Sequence, residues 1–437
     1  MNRFTLFAAL LILCAVPLLA QQAATTPPGS SPEAAALEAR IKELEERIIA
    51  LEGQVRVMKS EAPAPAPPAQ AVPLPTEGTA VQAAPAPAAA EPMGVRGSAG
   101  ELPVYGGASG ASKALNPDIS VIGDFIGTAG GNSIQPSPAL QMHESEVGFQ
   151  AIIDPYARGD FFISFGEEGV NLEEGYITFT ALPGGFVAKA GKMRSVFGKV
   201  NLLHNHTLPW VDRPLVTQNL VGGEDGIDDA GFSVSRILPA PKWLFLEATG
   251  QVFRGDSGAG QELVFKSSRK SDVSAVAHLR AYKDLTESTN LDIGFSYARG
   301  HNELGTDFLT RLYGMDATLR WKPLRRSIYH SFTARSEFIW SQRQQSPLLQ
   351  RAFGGYASGE YQLGRRWFLG GRYDWSGRAR FASQTDKGGS VILTYWPSEF
   401  SQIRGQYRFT NYAENVKTNE LLLQILFSLG AHGAHPF

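Results

Sequence analysis

Beyond residue 115, apolar and polar side chains alternate with a period of two. Near the C-terminal end, Ile403, Tyr407 and Phe409 share one face, whereas Arg404 and Arg408 share the other. The same alternation recurs in other segments, among them 273–280, 313–321 and 332–340. A period of two predicts β-strands that have one apolar and one polar face.

Sixteen segments of this kind can be placed between residue 115 and the C-terminus, and sixteen is an even number. Tight turns such as Asp154–Tyr156 and Leu182–Gly184 follow the even strands, and longer loops follow most of the odd strands. Bacterial outer-membrane barrels have short periplasmic turns and long external loops. The pattern predicts an all-β fold, a transmembrane antiparallel β-barrel of about 16 strands over 115–437. The strands are expected near 118–127, 143–153, 157–166, 170–181, 185–193, 227–238, 242–253, 272–282, 289–299, 311–322, 329–341, 352–363, 366–376, 388–397, 400–411 and 419–429.

Residues 1–20 fit a secretory signal peptide. Arg3 precedes an apolar run, and the small residue Ala20 ends it. A membrane anchor is the alternative, but the run is broken by Pro17 and is short for a span of ~20 residues. We therefore expect the chain to leave the cytoplasm and the barrel to lie in the bacterial outer membrane, in contact with its lipid.

Residues 33–59 show heptad spacing, which predicts a short periplasmic coiled coil. Its β-branched a positions lean toward a dimer, whereas the Arg and Glu placed around Ile41 and Ile48 resemble a pattern of trimeric coiled coils, so we favour a homotrimer. The residues expected to oligomerise are Leu37, Ile41, Leu44, Ile48, Leu51 and Val55. Residues 60–114 are rich in Pro, Ala and Gly, which predicts an extended linker without a core.

Composition narrows the functional classes. Lys+Arg 40 against Asp+Glu 42 leaves a net charge of -2, so no nucleic-acid partner is expected. The single cysteine, Cys14, lies in the predicted signal peptide, which excludes thiol chemistry in the mature chain. No catalytic arrangement stands out either. We expect no enzyme activity and no cofactor.

The longest gap between predicted strands, residues 194–226, follows the fifth strand, where trimeric porins fold a constriction loop into the pore. We expect this loop to narrow the channel with Arg194, His204, His206, Asp212, Arg213, Glu224 and Asp225. Charges expected to line the barrel wall are Lys189, Arg280, Arg320, Arg335, Arg372, Arg404, Arg408, Asp124, Glu146, Asp160, Asp316, Glu337, Glu360 and Asp374. They either set up a transverse field across the pore or simply hydrate its wall.

His204 and His206 are the one local pair with the character of metal ligands. On an extended segment they share a face, and imidazole suits Zn or Cu. Two ligands are too few for a tight site, so Glu224, Asp225 or Asp228 would have to complete it. The alternative role for the two histidines is hydrogen bonding within the loop.

Three stretches resemble a family of outer-membrane porin-like proteins: Leu115–Phe125, Asp154–Asp160 and Gly198–His206. Members of this family are often labelled zinc-regulated outer-membrane receptors and are similar in outline to phosphate-selective porins. The resemblance covers roughly 115–437. It implies a porin-like barrel, and the coiled coil is similar in position to that of some sugar-specific porins.

The function that follows is passive diffusion of small hydrophilic solutes or ions through a water-filled channel. Two alternatives stay open. One is a zinc-related outer-membrane uptake protein or receptor, and the other is a barrel that tethers the outer membrane through its periplasmic coiled coil.

Overall fold

The computed structural model describes residues 117–166, 169–258, 263–381 and 383–430. The chain divides into two units, residues 1–88 and 89–437, and every described residue belongs to the second. The predicted signal peptide, coiled coil and linker lie outside the described residues, as do the heptad positions. They remain predictions.

The described chain is built from antiparallel strands, as the period-two alternation predicts, and each of the sixteen predicted segments overlaps one observed strand. The strands are β1 Asp118–Gly131, β2 Leu140–Asp154, β3 Ala157–Gly166, β4 Gly169–Leu182, β5 Phe186–Arg194, β6 Asp228–Ile237, β7 Phe245–Phe253, β8 Ser274–Thr286, β9 Thr289–Asn302, β10 Gly305–Trp321, β11 Phe332–Gln345, β12 Leu348–Gln362, β13 Trp367–Gly377, β14 Thr385–Ser398, β15 Ser401–Asn411 and β16 Lys417–Gly430.

The sheet closes on itself. Each strand pairs with its neighbours in sequence, and β1 pairs with β16 in antiparallel register from Ser120↔Gly430 to Gly131↔Asn419. Closure leaves no unpaired strand edge, which is the condition for a sheet to exist in lipid. The predicted fold class and the number of strands are confirmed for the described residues.

The barrel has its polar face inside. On β15, Gln402 and Arg404 are buried in the interior, whereas Ile403 and Tyr407 point outward and are 40% and 50% exposed. On β16, Leu421 and Leu423 are exposed in the same way and Gln424 is fully buried. An apolar exterior around a polar lumen is the polarity of a barrel that faces lipid.

The expected pattern, short turns after even strands and longer loops after odd strands, holds only in part. The two longest, residues 195–227 and 254–273, do follow odd strands. However, β9–β10 and β11–β12 are joined by only Glu303–Leu304 and Ser346–Pro347, and residues 322–331 form a longer connection after β10. Alternation locates strands, but loop length is not set by the barrel and can vary on either side.

Residues 195–227, called the lumen loop below, enter the barrel interior after β5. The loop contains 3₁₀ turns at Val200–Leu202 and Asn205–Thr207 and one short helix, α1 Leu215–Leu220. The Asn201 side chain joins the two ends of the loop: it donates to Ser195 O and Ile227 O and accepts from Ile227 N. Among the described residues, no helix is both long and apolar enough to cross a membrane.

Candidate functional site

The lumen loop is hydrogen-bonded to strands around the whole barrel. Gly198 N donates to Ser296 Oγ on β9 (2.9 Å), Val211 N to Gln406 Oε1 on β15 (2.8 Å), and Leu215 N to Asp374 Oδ1 on β13 (3.2 Å). Buried backbone N–H groups need such partners in a loop that makes no ladder of its own. The polar wall supplies them and fixes the loop across the lumen.

One side of the loop is apolar and packs against apolar patches of the wall. Phe197, Val216 and Leu220 are buried in a cluster that includes Leu312 and Ile339 of β10 and β11. Trp210 meets Tyr356 of β12 edge to face, with ring centroids 5.0 Å apart. This core occupies much of the space that a bare barrel would leave open.

Opposite this core, Val211 packs with Ile126 of β1 and Leu422 of β16. The two apolar contacts lie on different arcs of the wall, one on strands from β5 to β14 and the other at the β1–β16 closure. The loop therefore bridges the lumen instead of lying along one wall.

Asp212 holds the middle of the loop through two arginines. Its carboxylate lies 2.9 Å from Arg372 Nη2 and 2.8 Å from Arg408 Nη1. Burial raises the pKa of Asp212, but Arg372 and Arg408 outweigh burial and lower that pKa to about 2. The carboxylate is ionised at neutral pH. Asp212, Arg372 and Arg408 are called the Asp212 lock below.

Two other arginines support the loop backbone. Arg404 Nη1 donates to Leu208 O (2.8 Å) and Trp210 O (3.1 Å). Arg213 donates to Val200 O and Leu203 O within the loop itself, and burial lowers its pKa to about 9. Arg213, expected to narrow the channel, is thus buried within the loop and stabilises its backbone.

A second attachment joins the loop to β2 and β4 through His204. Its Nδ1 lies 2.6 Å from Glu146 Oε2 and 2.9 Å from Glu173 Oε2, and its Nε2 lies 3.0 Å from Glu174 Oε2. Burial lowers the pKa of His204, but these hydrogen bonds outweigh burial and raise it well above its usual range. Glu144, Glu146, Glu173 and His204 are called the Glu–His cluster below.

One β-bulge adds a carboxylate to this cluster, and a second bulge lies beside it. On β2 the register shifts so that Asp124 pairs with Glu144 and Phe125 with Met142, which leaves His143 as the extra residue. On β4 the register shifts in the same way around Glu173. A bulge turns two consecutive side chains to the same face. Glu173 and Glu174 both point inward for this reason, and Leu172 beyond the bulge is exposed on the outside.

The end of the loop is tied to the same region. Arg194 Nη2 lies 3.1 Å from Glu173 Oε2, and its Nη1 donates to Glu224 O and Asp225 O. The Glu224 carboxylate lies 3.6 Å from His143. Glu224, Asp225 and Asp228, expected to complete a metal site, do not join His204, because Asp225 is exposed and Asp228 pairs with Lys192 at 2.9 Å. Glu144, Glu146 and Glu173 take that place.

Residue His206 faces a different space. A cavity of about 910 Å³ extends from His206 to the turn between β14 and β15, and Arg335, Glu360 and Arg404 line it. The rings of His204 and His206 are 5.8 Å apart. His206 therefore stands between the cavity and the Glu–His cluster.

The remaining wall charges predicted from the alternation lie on inward-facing rows. Arg280 pairs with Asp292 at 2.8 Å, and Glu337 accepts from Val200 N of the loop. Other inward positions have partners on the wall: Asp124 accepts from Gln424, Asp160 from Arg158, and Lys189 lies over the Tyr176 ring. Arg320 and Asp316 share the inward row of β10. Asp374 bonds both Arg372 and the loop.

Comparisons with known proteins show a porin-like fold. No family model matches the chain. It is 28% identical to an uncharacterized protein of Aquifex aeolicus (strain VF5) in an alignment of 389 residues, covering 75% of this chain and 81% of that protein. OprB of Pseudomonas putida superposes with a TM-score of 0.50 at 9% identity, covering 72% of this chain and 94% of that structure.

Two further solved structures are similar. The outer-membrane channel DcaP of Acinetobacter baumannii gives a TM-score of 0.49 at 13% identity, covering 72% of this chain and 96% of that one. An anion-selective porin of Comamonas acidovorans gives 0.49 at 8% identity, covering 72% and 100%. The described chain is thus a sixteen-stranded barrel that resembles porins.

Proposed function

We propose that the protein is a bacterial outer-membrane porin that lets small hydrophilic solutes or ions diffuse through a narrow, water-filled channel constricted by the lumen loop. The observation that carries the proposal is the reversed polarity of the barrel together with a long loop held inside it. A polar lumen can hold water, and a barrel of this strand number is wide enough for an aqueous path.

The cavity that extends from His206 to the turn between β14 and β15 supports a modest selectivity for anions. Its lining includes Arg335, Arg365, Arg366 and Arg404 against Glu360 and Glu399. Four guanidinium groups against two carboxylates favour small anions at this end of the path. Elsewhere on the wall, acids and bases alternate without a strong excess, so we expect weak rather than strict anion preference.

The predicted signal peptide and coiled coil fit this location. Export by residues 1–20 would bring the chain to the outer membrane, with residues 33–59 in the periplasm and three copies associated through their heptads. Deleting 33–59 should lower the oligomeric state measured by light scattering in detergent. If the variant keeps the wild-type mass, the coiled coil does not assemble the protein.

The decisive test is single-channel recording of the refolded protein in a planar bilayer under a salt gradient. We expect small stepwise currents and a reversal potential whose sign shows that anions are more permeant than cations. A variant with residues 199–221 replaced by a short Gly/Ser segment should conduct several-fold better, because the loop bridges the lumen. A silent wild type together with a silent loop variant would contradict channel function.

Metal-related uptake is the second candidate, and the Glu–His cluster is the observation that favours it. The tether alternative rests on the coiled coil alone. Deleting 33–92 separates tether and channel: loss of envelope attachment with unchanged conductance would support a tether in addition to the channel.

A further inference from the structure

We propose that the Glu–His cluster is a binding site for one divalent first-row transition cation, of the Zn²⁺ class, which joins the lumen loop to β2 and β4. Glu144, Glu146, Glu173 and His204 each present one donor atom, and these four atoms lie within 4.8 Å of one another. Binding at this site does not depend on whether the barrel conducts, so the two proposals can fail separately.

The donors come from three different parts of the chain. Glu144 and Glu146 lie on β2, Glu173 lies at the bulge of β4, and His204 lies on the lumen loop. All four side chains are buried. A regular β4 would send Glu173 and Glu174 to opposite faces, so the bulge is what adds a carboxylate to this point of the lumen.

Glu144 indicates that a ligand belongs here. Its side chain is 93% buried, since its exposed fraction is 7%. Glu144 Oε2 accepts a hydrogen bond from Asn205 Nδ2 at 3.0 Å, but Oε1 is buried and meets no donor group among the described residues. The Glu173 carboxylate lies within hydrogen-bond reach of Glu144, and the two can bond only by sharing a proton or a cation. A buried carboxylate oxygen without a donor is costly unless a cation or a proton satisfies it.

The charges around the cluster leave room for a cation. Glu144, Glu146, Glu173 and Glu174 bring four carboxylates, against one positive charge on Arg194 and one on a protonated His204. A divalent cation that replaces the His204 proton lowers the net negative charge of these six groups from two to one. Glu173 is shared with Arg194, so Glu144, Glu146 and His204 are the principal ligands.

His204 is oriented for metal binding by Glu174. A cation at this point replaces the proton that His204 holds on Nδ1 between Glu146 and Glu173. The neutral ring that results keeps its Nε2 proton, donates it to Glu174 Oε2 at 3.0 Å and presents the Nδ1 lone pair to the ion. A carboxylate that accepts the second ring N–H of a ligating histidine is the usual outer-shell arrangement.

The class of cation follows from the donors. One imidazole nitrogen with carboxylate oxygens suits Zn²⁺ better than Ca²⁺ or Mg²⁺, which prefer oxygen alone, and Zn²⁺ is bound more tightly than Mn²⁺ by mixed sites. Donors around Zn²⁺ lie about 3.3 Å apart. His204 Nδ1 is 2.6 Å from Glu146 Oε2, so these two atoms must separate by about 0.7 Å to admit the ion.

His206 adjoins the Glu–His cluster on the side of the cavity. His206 lines that cavity, and its Nδ1 lies 4.0 Å from Glu146 Oε2. At that distance His206 lies at the edge of the site, where it can serve as an additional ligand.

The test is Zn²⁺ binding to the refolded full-length chain, prepared without a histidine tag and stripped with a chelator. Isothermal titration and metal analysis after gel filtration should give one Zn²⁺ per chain, bound more tightly than Mn²⁺ and much more tightly than Ca²⁺. Glu146→Gln and His204→Gln should each weaken Zn²⁺ binding by at least about 10-fold, and Glu174→Gln by about 10- to 100-fold.

Glu337→Gln is the matched control. Glu337 is equally buried and also contacts the loop, but it lies outside the cluster, so this variant should bind Zn²⁺ like the wild type. Heat-dependent migration on gels shows which variants are folded, and Glu144→Gln provides another ligand variant if His204→Gln does not fold. Co²⁺ should give visible absorption bands that Glu146→Gln loses and Glu337→Gln keeps.

Two results would overturn the site. The first is a folded wild type that retains far less than one Zn²⁺ per chain after gel filtration. The second is unchanged Zn²⁺ affinity in folded Glu146→Gln and His204→Gln, which would place the bound ion elsewhere and leave the cluster as an ion-pair attachment of the loop.

Discussion

At the scale of single residues, the lumen is organised by charged groups that reach from the wall to the loop. Asp212 accepts from Arg372 and Arg408, and these arginines also bind Asp374 and Glu420 of the wall. Each guanidinium is thereby shared between a fixed strand and the loop. Such shared pairs hold position well, because removing one partner leaves the others buried and incompletely compensated.

Asp212→Asn should loosen the middle of the loop. Breaking a buried pair costs about 3–5 kcal/mol, and the retained partners Asp374 and Glu420 bring the expected loss to the lower end of that range. Bilayer recordings should show larger or noisier openings than the wild type. Asp225→Asn, the same substitution at an exposed position of the loop, is the control and should leave the currents unchanged. Identical currents in the two variants would remove the Asp212 lock from the constriction.

Acid should act through the same carboxylate. The pKa of Asp212 is lowered to about 2 from an unfolded value near 3.8, so its contribution of about 2 kcal/mol is fully present above pH 4 and is lost as the pH falls from about 4 to 2. Wild-type currents should change over that interval. Asp212→Asn should lack that component, and an equal pH response in both proteins would assign it to other groups.

Residue-level chemistry was only partly predictable. Glu146, Asp374 and Arg408, which alternation predicts to face the lumen, are buried in the structure. Glu144 lies on the same row as Glu146 but was not among the predicted residues. Glu173 was outside the prediction because a bulge breaks the period of two at that residue. The available signal was the consecutive pair Glu173–Glu174, since a regular strand would point one of these carboxylates at lipid.

At the scale of elements, the strands were predictable and the interior of the loop was not. The alternation extends over about ten residues in each strand, so one residue that departs from it does not obscure the strand. The lumen loop was located by its length and its charges. Its packing depends on Phe197, Trp210 and Leu220, whose partners are distant wall residues such as Tyr356. No local pattern reports contacts of that kind.

Gly198 sets the path of the loop as it leaves β5. Its φ is +64°, and a Cβ there would overlap Glu337 Oε1, which is itself buried. Gly198→Ala should therefore destabilise the docked loop by at least about 1–2 kcal/mol, the cost of the left-handed backbone alone. Protease cleavage within residues 195–227 should rise.

Gly250→Ala is the comparison for that variant. Gly250 lies on β7, and a Cβ there would meet nothing within 4 Å. Its loop should resist protease as the wild type does. Equal resistance in Gly198→Ala would mean that the backbone at this position adapts without strain.

At the scale of the whole molecule, stability in lipid depends on the outer apolar surface. Leu423 of β16 is 44% exposed on that surface, next to the buried Gln424. Leu423→Arg should destabilise the folded barrel in bilayers by about 2–4 kcal/mol if the position lies near the membrane midplane. Folding yield into vesicles measures the effect, with Leu423→Phe as the apolar control. Equal yields would place this face away from hydrocarbon.

The pairing of β1 with β16 has a consequence for the order of assembly. The first and last strands meet only when the final segment of the chain is available, and until then both carry open edges. Val211 of the loop rests against Ile126 and Leu422, one from each of these two strands. Val211 can contact both strands only after β1 and β16 are in place, so docking of this part of the loop is completed no earlier than closure of the barrel.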